Sequence, residues 1–167
     1  MFDFARTASL IAATVAMGLA AGLFAGFSYS VMPGLARTDD RTFVTTMQNI
    51  NSAILNGWFM TIFIGALLLT AVAGVVHLRG PDRSALVWIG AAFVLYLATF
   101  LITGMVNVPL NDQLAAAGGV DQITDLAAIR ERFEATWVRW NLIRAVTSTI
   151  GFGLLTWGLV LHGRGTG

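Results

Sequence analysis

Glu134, Trp137, Asn141 and Arg144 follow one another at steps of three, four and three residues. That spacing puts a carboxylate, an indole, an amide and a guanidinium on one face of a helix. The helix continues into the apolar stretch Trp140–Leu161, so the stripe enters a hydrophobic segment and Arg144 lies inside it. An ionisable group at that depth costs roughly 2.5–3.5 kcal/mol or more on insertion scales and marks a functional site by default. Arg144 and Asn141 aim at the same place, where both can donate hydrogen bonds to a polar group held in apolar surroundings. The competing reading is that Arg144, within one turn of the boundary, snorkels to the surface.

Two further clusters of amides share this end of the chain's hydrophobic segments. Gln48 and Asn51 are three residues apart on one helical face, with Asn56 following, and Asn107 and Asn111 flank Pro109. Amides at membrane level also serve as plain interhelical hydrogen bonds. Asn107 could simply cap a helix that Pro109 breaks. Trp58, Trp137 and Trp140 fit either a binding slot or an interfacial aromatic belt.

The elements that must position these groups follow from composition. The chain of 167 residues is 56% hydrophobic and only 11% charged, against about 25% in a soluble domain. Four apolar stretches, about 7–32, 58–78, 85–106 and 140–161, each reach the roughly 20 residues that cross a bilayer. Residues 1–167 read as one integral membrane domain. The fold class is all-α, a four-helix transmembrane bundle with helices 2 and 4 extended beyond the membrane on one side. The first apolar run continues to Met32, too far for a signal peptide, and reads as a retained span.

Span 1 carries Gly18, Gly22 and Gly26, whose spacing lets a neighbouring helix approach closely, either within the bundle or in a homo-oligomer. Pro33 and Gly34 are expected to stop that helix. Asp39 or Asp40 can cap the next one, which is expected to run unbroken from about Asp40 to Leu78. Arg79, Gly80, Pro81 and Asp82 read as a tight turn. Pro109 is expected to break or kink the third helix. Ala115–Gly119 reads as a small-residue loop. Asp121 or Asp125 can cap a last helix running from about Leu126 to Leu161. Both long connections, 33–57 and 107–139, then lie on one side, where the projecting helix halves cap the bundle.

The short-loop side holds Arg6, Arg79, Arg83 and Arg164 against Asp3 and Asp82. Basic residues in short loops favour the cytoplasm, which puts both termini there, in a bacterial plasma (inner) membrane. The Ala, Gly and Arg richness, with no lysine, suits a GC-rich bacterial genome.

Cysteine is absent, which excludes disulfides, thiolate nucleophiles and Cys-x-x-Cys redox relays. His77 and His162 are expected at solvated span ends rather than as haem ligands. No metal-ligand pattern, phosphate loop or basic stripe for nucleic acid occurs.

Phe24-Ala25-Gly26-Phe27, Val31-Met32-Pro33, Met47-Gln48-x-Ile50-Asn51, Asn107-Val108-Pro109-Leu110-Asn111 and Trp137-x-x-Trp140-Asn141-x-x-Arg144 occur in that order. This set resembles the anthrone oxygenase-like family of small four-span membrane proteins, many of them known only as a domain of unknown function. The resemblance covers nearly the whole chain. It implies an oxidoreductase that turns an anthrone into an anthraquinone with O₂ and no added cofactor or metal. On that reading Trp137, Trp140, Trp58 and Phe27 line an aromatic slot, with Gln48, Asn51, Asn107 and Asn111 as further substrate-binding groups. Arg144, with Asn141 or Asn51, holds the enolate oxygen. Glu134 is the first candidate for the base and Asp112 the second, although a buried Arg–carboxylate pair explains Glu134 equally well. The partners expected are a hydrophobic aromatic or phenolic substrate, O₂ and the lipid bilayer. The alternative is a non-enzymatic membrane protein, a small transporter subunit or assembly partner, with the glycine face of span 1 as its contact.

Overall fold

A computed structural model describes residues 2–79 and 83–165, with side chains from residue 4 onward. Among these residues every regular element is helical. α1 (Phe2–Gly26) passes through a π-helical turn (Phe27–Val31) into the short α2 (Met32–Leu35). α3 (Asp40–Ala53) and α4 (Gly57–Leu78) follow. α5 (Leu86–Ile102) passes through a second π turn (Thr103–Asn107) into α6 (Val108–Ala116), and α7 (Leu126–Gly165) closes the chain. Four continuous rods, Phe4–Leu35, Gly57–Leu78, Leu86–Ala116 and Leu126–Gly165, are long and apolar enough to cross a membrane. The chain is a four-helix, multi-pass membrane protein. At 1.5 Å per residue α7 spans about 60 Å, roughly twice the hydrocarbon core, so part of it stands clear of the lipid.

In the bundle α1 packs against α4 and α7, and α5 packs against α7 and more loosely against α4. Alanines such as Ala13, Ala20, Ala66, Ala73, Ala92 and Ala145 share the interior with Leu10, Met17, Phe63, Ile89, Tyr96 and Leu155. Other large residues, among them Leu68, Val72, Val94, Leu101, Val146 and Ile150, point outward. In lipid an outward Leu or Val loses nothing, and close backbone approach gains dispersion contacts. A Cβ added at Gly18 would lie 2.9 Å from the Phe152 ring, and one at Gly151 would lie 2.8 Å from the Met17 sulfur. Gly18 thus serves the α1–α7 contact inside the bundle. Gly22 and Gly26 meet nothing within the chain.

Four expectations need correction. The first rod ends at Leu35, just past Gly34, but Pro33 itself lies inside it, and Pro109 does not break the third rod, which runs on to Ala116. Each proline stands two residues beyond a π turn, where Met32 N–H bonds to Phe27 O and Val108 N–H bonds to Thr103 O, five residues back. The extra residue in the turn moves away the carbonyl that the proline ring would strike. The helix expected from Asp40 to Leu78 is broken at Ile54–Asn56. Asn56 Nδ2 donates to Ala53 O (2.8 Å) and its Oδ1 accepts from Phe59 N–H (3.1 Å), so one amide closes α3 and opens α4. Helix α6 takes in Ala115 and Ala116, and the left-handed residue that ends the segment is Gly118, at φ 82°.

The histidines are the fourth. His77 and His162 are 0% and 3% exposed, with ring centroids 5.1 Å apart, and His162 Nε2 shares a 2.8 Å hydrogen bond with Thr7 Oγ1. Through Thr7 they tie α1, α4 and α7 together at the short-loop end, where Arg6 is also buried. The expected turn through Gly80, Pro81 and Asp82 lies outside the described residues. Asp39 caps α3 as expected, its Oδ1 accepting from Thr42 N–H (2.9 Å), and Asp125 caps α7 through Ala128 N–H (2.9 Å).

At the long-loop end a second apolar core forms from Met32, Leu35, Phe43, Val44, Met47, Leu114, Phe133 and Trp137. Arg130 fastens the 36–40 link onto α7. Its guanidinium donates to Ala36 O, Thr38 O, Asp40 Oδ1 (3.0 Å) and Glu134 Oε2 (2.6 Å) and lies 4.5 Å above the Phe43 ring. Arg41 and Asp121 pair across the same cap.

The glycine geometry separates two substitutions that a stripe of small residues would treat alike. Gly18→Leu forces the Phe152 ring aside and is expected to cost about 1–3 kcal/mol. Gly22→Leu fills open space and is expected to stay within about 0.5 kcal/mol of wild type. Reversible unfolding in mixed micelles measures both. Equal losses at the two positions would contradict this packing.

Candidate functional site

Beneath the cap lies a cavity of about 230 Å³, slightly below the usual range of roughly 300–1,000 Å³ for small-molecule sites. Every rod contributes. Phe24 and Phe27 come from α1 and its π turn, Gln48 and Asn51 from α3, and Phe59 from α4. Thr103 and Asn107 come from the second π turn, Asn111 and Asp112 from α6, and Trp137, Asn141 and Arg144 from α7. The exposed lining residues mark the mouth. Ser52 and Leu55 stand at the α3–α4 corner, opposite Val108, Asp112 and Ala115, which share one face of α6.

Arg144 forms the inner wall and is 5% exposed. It does not snorkel. Its Nη2 donates to Asn141 Oδ1 (2.9 Å) and its Nη1 to Thr103 Oγ1 (3.2 Å). The guanidinium carbon lies 4.6 Å from the Phe24 ring centroid and 5.5 Å from that of Trp137, an arrangement in which ring quadrupoles stabilise a desolvated cation. The ion pairs among the described residues join Arg41 to Asp121 and Arg130 to Asp40 and Glu134. Arg144 has no carboxylate partner among them, and its Nε is buried without an acceptor.

Asn141 is fully committed. Its Nδ2 donates to Phe24 O (3.0 Å) and Ser28 Oγ (2.8 Å), while its Oδ1 receives Arg144. Ser28 belongs to the first π turn and itself donates to Phe24 O (3.1 Å). Thr103, in the second π turn, passes its hydroxyl proton to Thr99 O (2.8 Å). Both π turns therefore hand a side-chain oxygen to the network that orients Arg144, as π turns at functional sites commonly do. Asn141 therefore orients the Arg144 guanidinium.

Trp137 is fixed from several sides. Its Nε1 donates to Asn111 Oδ1 (2.9 Å), its ring stacks on Phe133 (6.0 Å, 25°), and Phe27 tilts against it at 5.7 Å. Gln48 Nε2 donates to Leu114 O (2.8 Å) and Gly118 O (3.0 Å), which closes the end of α6. Asn107 is 1% exposed, and its Nδ2 reaches Trp137 O at 3.4 Å.

Of the residues singled out in the sequence, the cavity gathers Arg144, Asn141, Trp137, Asn51, Gln48, Asn107, Asn111 and Phe27. Glu134, Trp140 and Trp58 are not in its wall. Glu134 is held by Arg130 in the cap. Trp58 is 84% exposed at the start of α4, where an indole faces the membrane interface. Asp112, the second candidate for a base, is the carboxylate that lines the cavity, at its mouth. Phe24, Phe59, Thr103 and Ser28 were missed. Phe24 and Thr103 stand one helical turn before Phe27 and Asn107, a spacing that could have revealed them. Among the described residues no three His, Cys, Asp or Glu side chains converge as a metal site.

The anthrone oxygenase family profile matches residues 59–154, more than half of the chain. The chain belongs to the anthrone oxygenase family. No curated protein and no solved structure matches it significantly. In this anthrone oxygenase family member the matched segment carries Phe59, Thr103, Asn107, Asn111, Asp112, Trp137, Asn141 and Arg144. The α1 and α3 walls of the cavity lie outside it.

A buried cation with no carboxylate partner among the described residues is not expected to add to stability. Replacing it with an apolar chain of similar length is expected to be neutral or stabilising. Arg144→Met is therefore expected to unfold no earlier than wild type in the same detergent. Asn141→Leu removes the acceptor of Arg144 Nη2 and the donor to Ser28 Oγ and is expected to lose about 1–3 kcal/mol. A large loss for Arg144→Met would show instead that the guanidinium holds the fold.

Proposed function

We propose that the protein is a cofactor-independent oxygenase of a hydrophobic aromatic ketone, of the anthrone type, taken from the bilayer. The observation that carries this reading is the Arg144 guanidinium, buried between two aromatic faces at the closed end of the cavity with no carboxylate beside it. Such a group has its positive potential free for an oxygen anion of the ligand. A planar ring system fits among Phe24, Phe27, Phe59 and Trp137, and the apolar mouth residues Leu55 and Val108 suit entry from lipid. With the termini in the cytoplasm, that mouth faces the outer leaflet.

The reaction needs little from the protein beyond these groups. Asp112 removes a proton from the methylene opposite the ketone, and the electron pair moves onto the ketone oxygen. Arg144, which Asn141 and Thr103 hold in line, stabilises this enolate. The enolate passes one electron to O₂, giving superoxide and a carbon-centred radical that combine to form a C–O bond at the former methylene. After protonation, loss of the remaining C–H proton with cleavage of the O–O bond gives a second ketone and water. One O₂ is consumed: one oxygen atom enters the quinone and the other leaves as water. Asp112, at the exposed mouth, can return its proton to solvent.

Purified protein is expected to accelerate O₂ uptake with anthrone well above the spontaneous rate. Arg144→Met should lower kcat/KM at least about 100-fold, the usual effect of removing an oxyanion donor. Asp112→Asn should lower it by a similar factor, about 100-fold, through loss of the base. Glu134→Gln should leave it nearly unchanged. Wild-type uptake no faster than the background would end the oxygenase reading and leave a membrane protein that binds aromatic ligands or assembles with a partner.

A further inference from the structure

Three side-chain atoms around the cavity are buried and lack a hydrogen-bond partner: Arg144 Nε, Asn51 Nδ2 and Asn107 Oδ1. The proposed chemistry uses the first. The other two form a pattern of their own. Two of the three are donors and one is an acceptor. The amide of Asn107 is oriented by its neighbour: the Trp137 carbonyl can only accept, so Nδ2 faces it and Oδ1 is the atom left over. Thr103, which receives Arg144 Nη1, lies four residues before Asn107 on the same π turn, so the unmatched acceptor sits close to the cation. A buried polar atom without a partner is destabilising, and native proteins keep few of them. Three around one cavity describe the ligand by its complement.

We infer that Asn107 is the specificity-determining residue of this site and reads a hydroxyl group on the ligand. The ligand's ketone or enolate oxygen takes the donors Arg144 Nε and Asn51 Nδ2. A phenolic hydroxyl on the same side of the ring system donates to Asn107 Oδ1. The inference rests on the aromatic-ketone reading of the cavity and adds to it a requirement. The preferred ligand is a hydroxyaryl ketone, and a ring system with only C–H at that edge leaves the amide oxygen unmet. A polar site built to bond a hydroxyl rejects the analogue that lacks it more sharply than an apolar pocket rejects an extra methylene.

Binding can be read apart from turnover with quinones, which are not oxidised further. Anthraquinone and its 1- and 2-hydroxy derivatives are titrated into the detergent-solubilised protein while quenching of tryptophan fluorescence is followed. Wild type is expected to bind at least one hydroxy derivative about tenfold more tightly than the parent, the value of one hydrogen bond to a buried acceptor. Asn107→Leu should remove the preference. Asn107→Ser keeps a neutral oxygen that can donate to the Trp137 carbonyl and still accept from the ligand, and it should retain part of the preference, which a purely structural role for the amide does not predict. Equal affinity for all three quinones in wild type, no binding of any, or a preference that survives Asn107→Leu overturns the inference. A hydroxyl preference without O₂ uptake would leave it standing while the oxygenase reading falls. Uptake without the preference would do the reverse.

Discussion

A guanidinium held at membrane depth without a counter-ion is the constraint around which this bundle is arranged. Lipid offers it nothing, and a carboxylate partner would cancel the potential that makes it useful. The structure instead surrounds Arg144 with neutral groups that each supply part of what water would have given: two aromatic faces, one amide oxygen and one hydroxyl. Each of those groups must itself be held. Asn141 is held by Ser28 and the Phe24 carbonyl, and Thr103 by the Thr99 carbonyl. Both hydroxyls sit on π turns, so local departures from α-helix in two different rods converge on one side chain. Lipid cannot bond a freed backbone group, so such departures persist only where buried protein partners are close.

The cap follows from the same requirement. If water reached Arg144 freely, its effective charge would be screened and its donors would already be occupied. The second apolar core, from Met32 to Trp137, closes the long-loop end, and Arg130 clamps the α2–α3 link onto α7. Arg130 and Arg144 stand on one helix with opposite roles. Arg130 is saturated with two carboxylates and two carbonyls and belongs to the scaffold. Arg144 has no carboxylate partner among the described residues, keeps its Nε unbonded and lines the cavity.

The span pattern was legible because bilayer thickness sets a length that composition alone can meet. Helical spacing alone put Trp137, Asn141 and Arg144 on one face, and the amides at 48, 51, 107 and 111 reached the same cavity because all lie at one end of their rods. Three things were not legible. Proline is a helix breaker in isolation, but in Pro33 and Pro109 it is preceded by a π turn whose stability comes from tertiary partners on α7, and no local signal encodes those. Asn56 interrupts α3–α4 by capping both ends of a break, and an asparagine before a glycine, with no proline near, does not by itself mark one. Glu134 shares the stripe with Arg144, yet a helix face is wide and extends over ten residues here. Arg130, one turn before Glu134, captures it, because an i,i+4 pair forms without any tertiary cost.

The displacement of Glu134 from the cavity is also what the proposed chemistry requires. A base adjacent to Arg144 would be held in its ionised form as a salt-bridge partner. Its basicity would fall as the cation stabilised it, and the same cation would have less to give an enolate. Anion stabilisation and proton removal therefore work best when separated, with the cation in the dry closed end and the carboxylate at the wet mouth. Asp112 meets that condition, since it lines the cavity yet remains exposed. In the proposed reaction its proton leaves to solvent before O₂ reacts, and the enolate held at Arg144 then gives O₂ its electron. The proposed order of events follows from where the two charges sit: the proton departs outward, the negative charge is drawn inward, and O₂, being apolar, enters from the lipid.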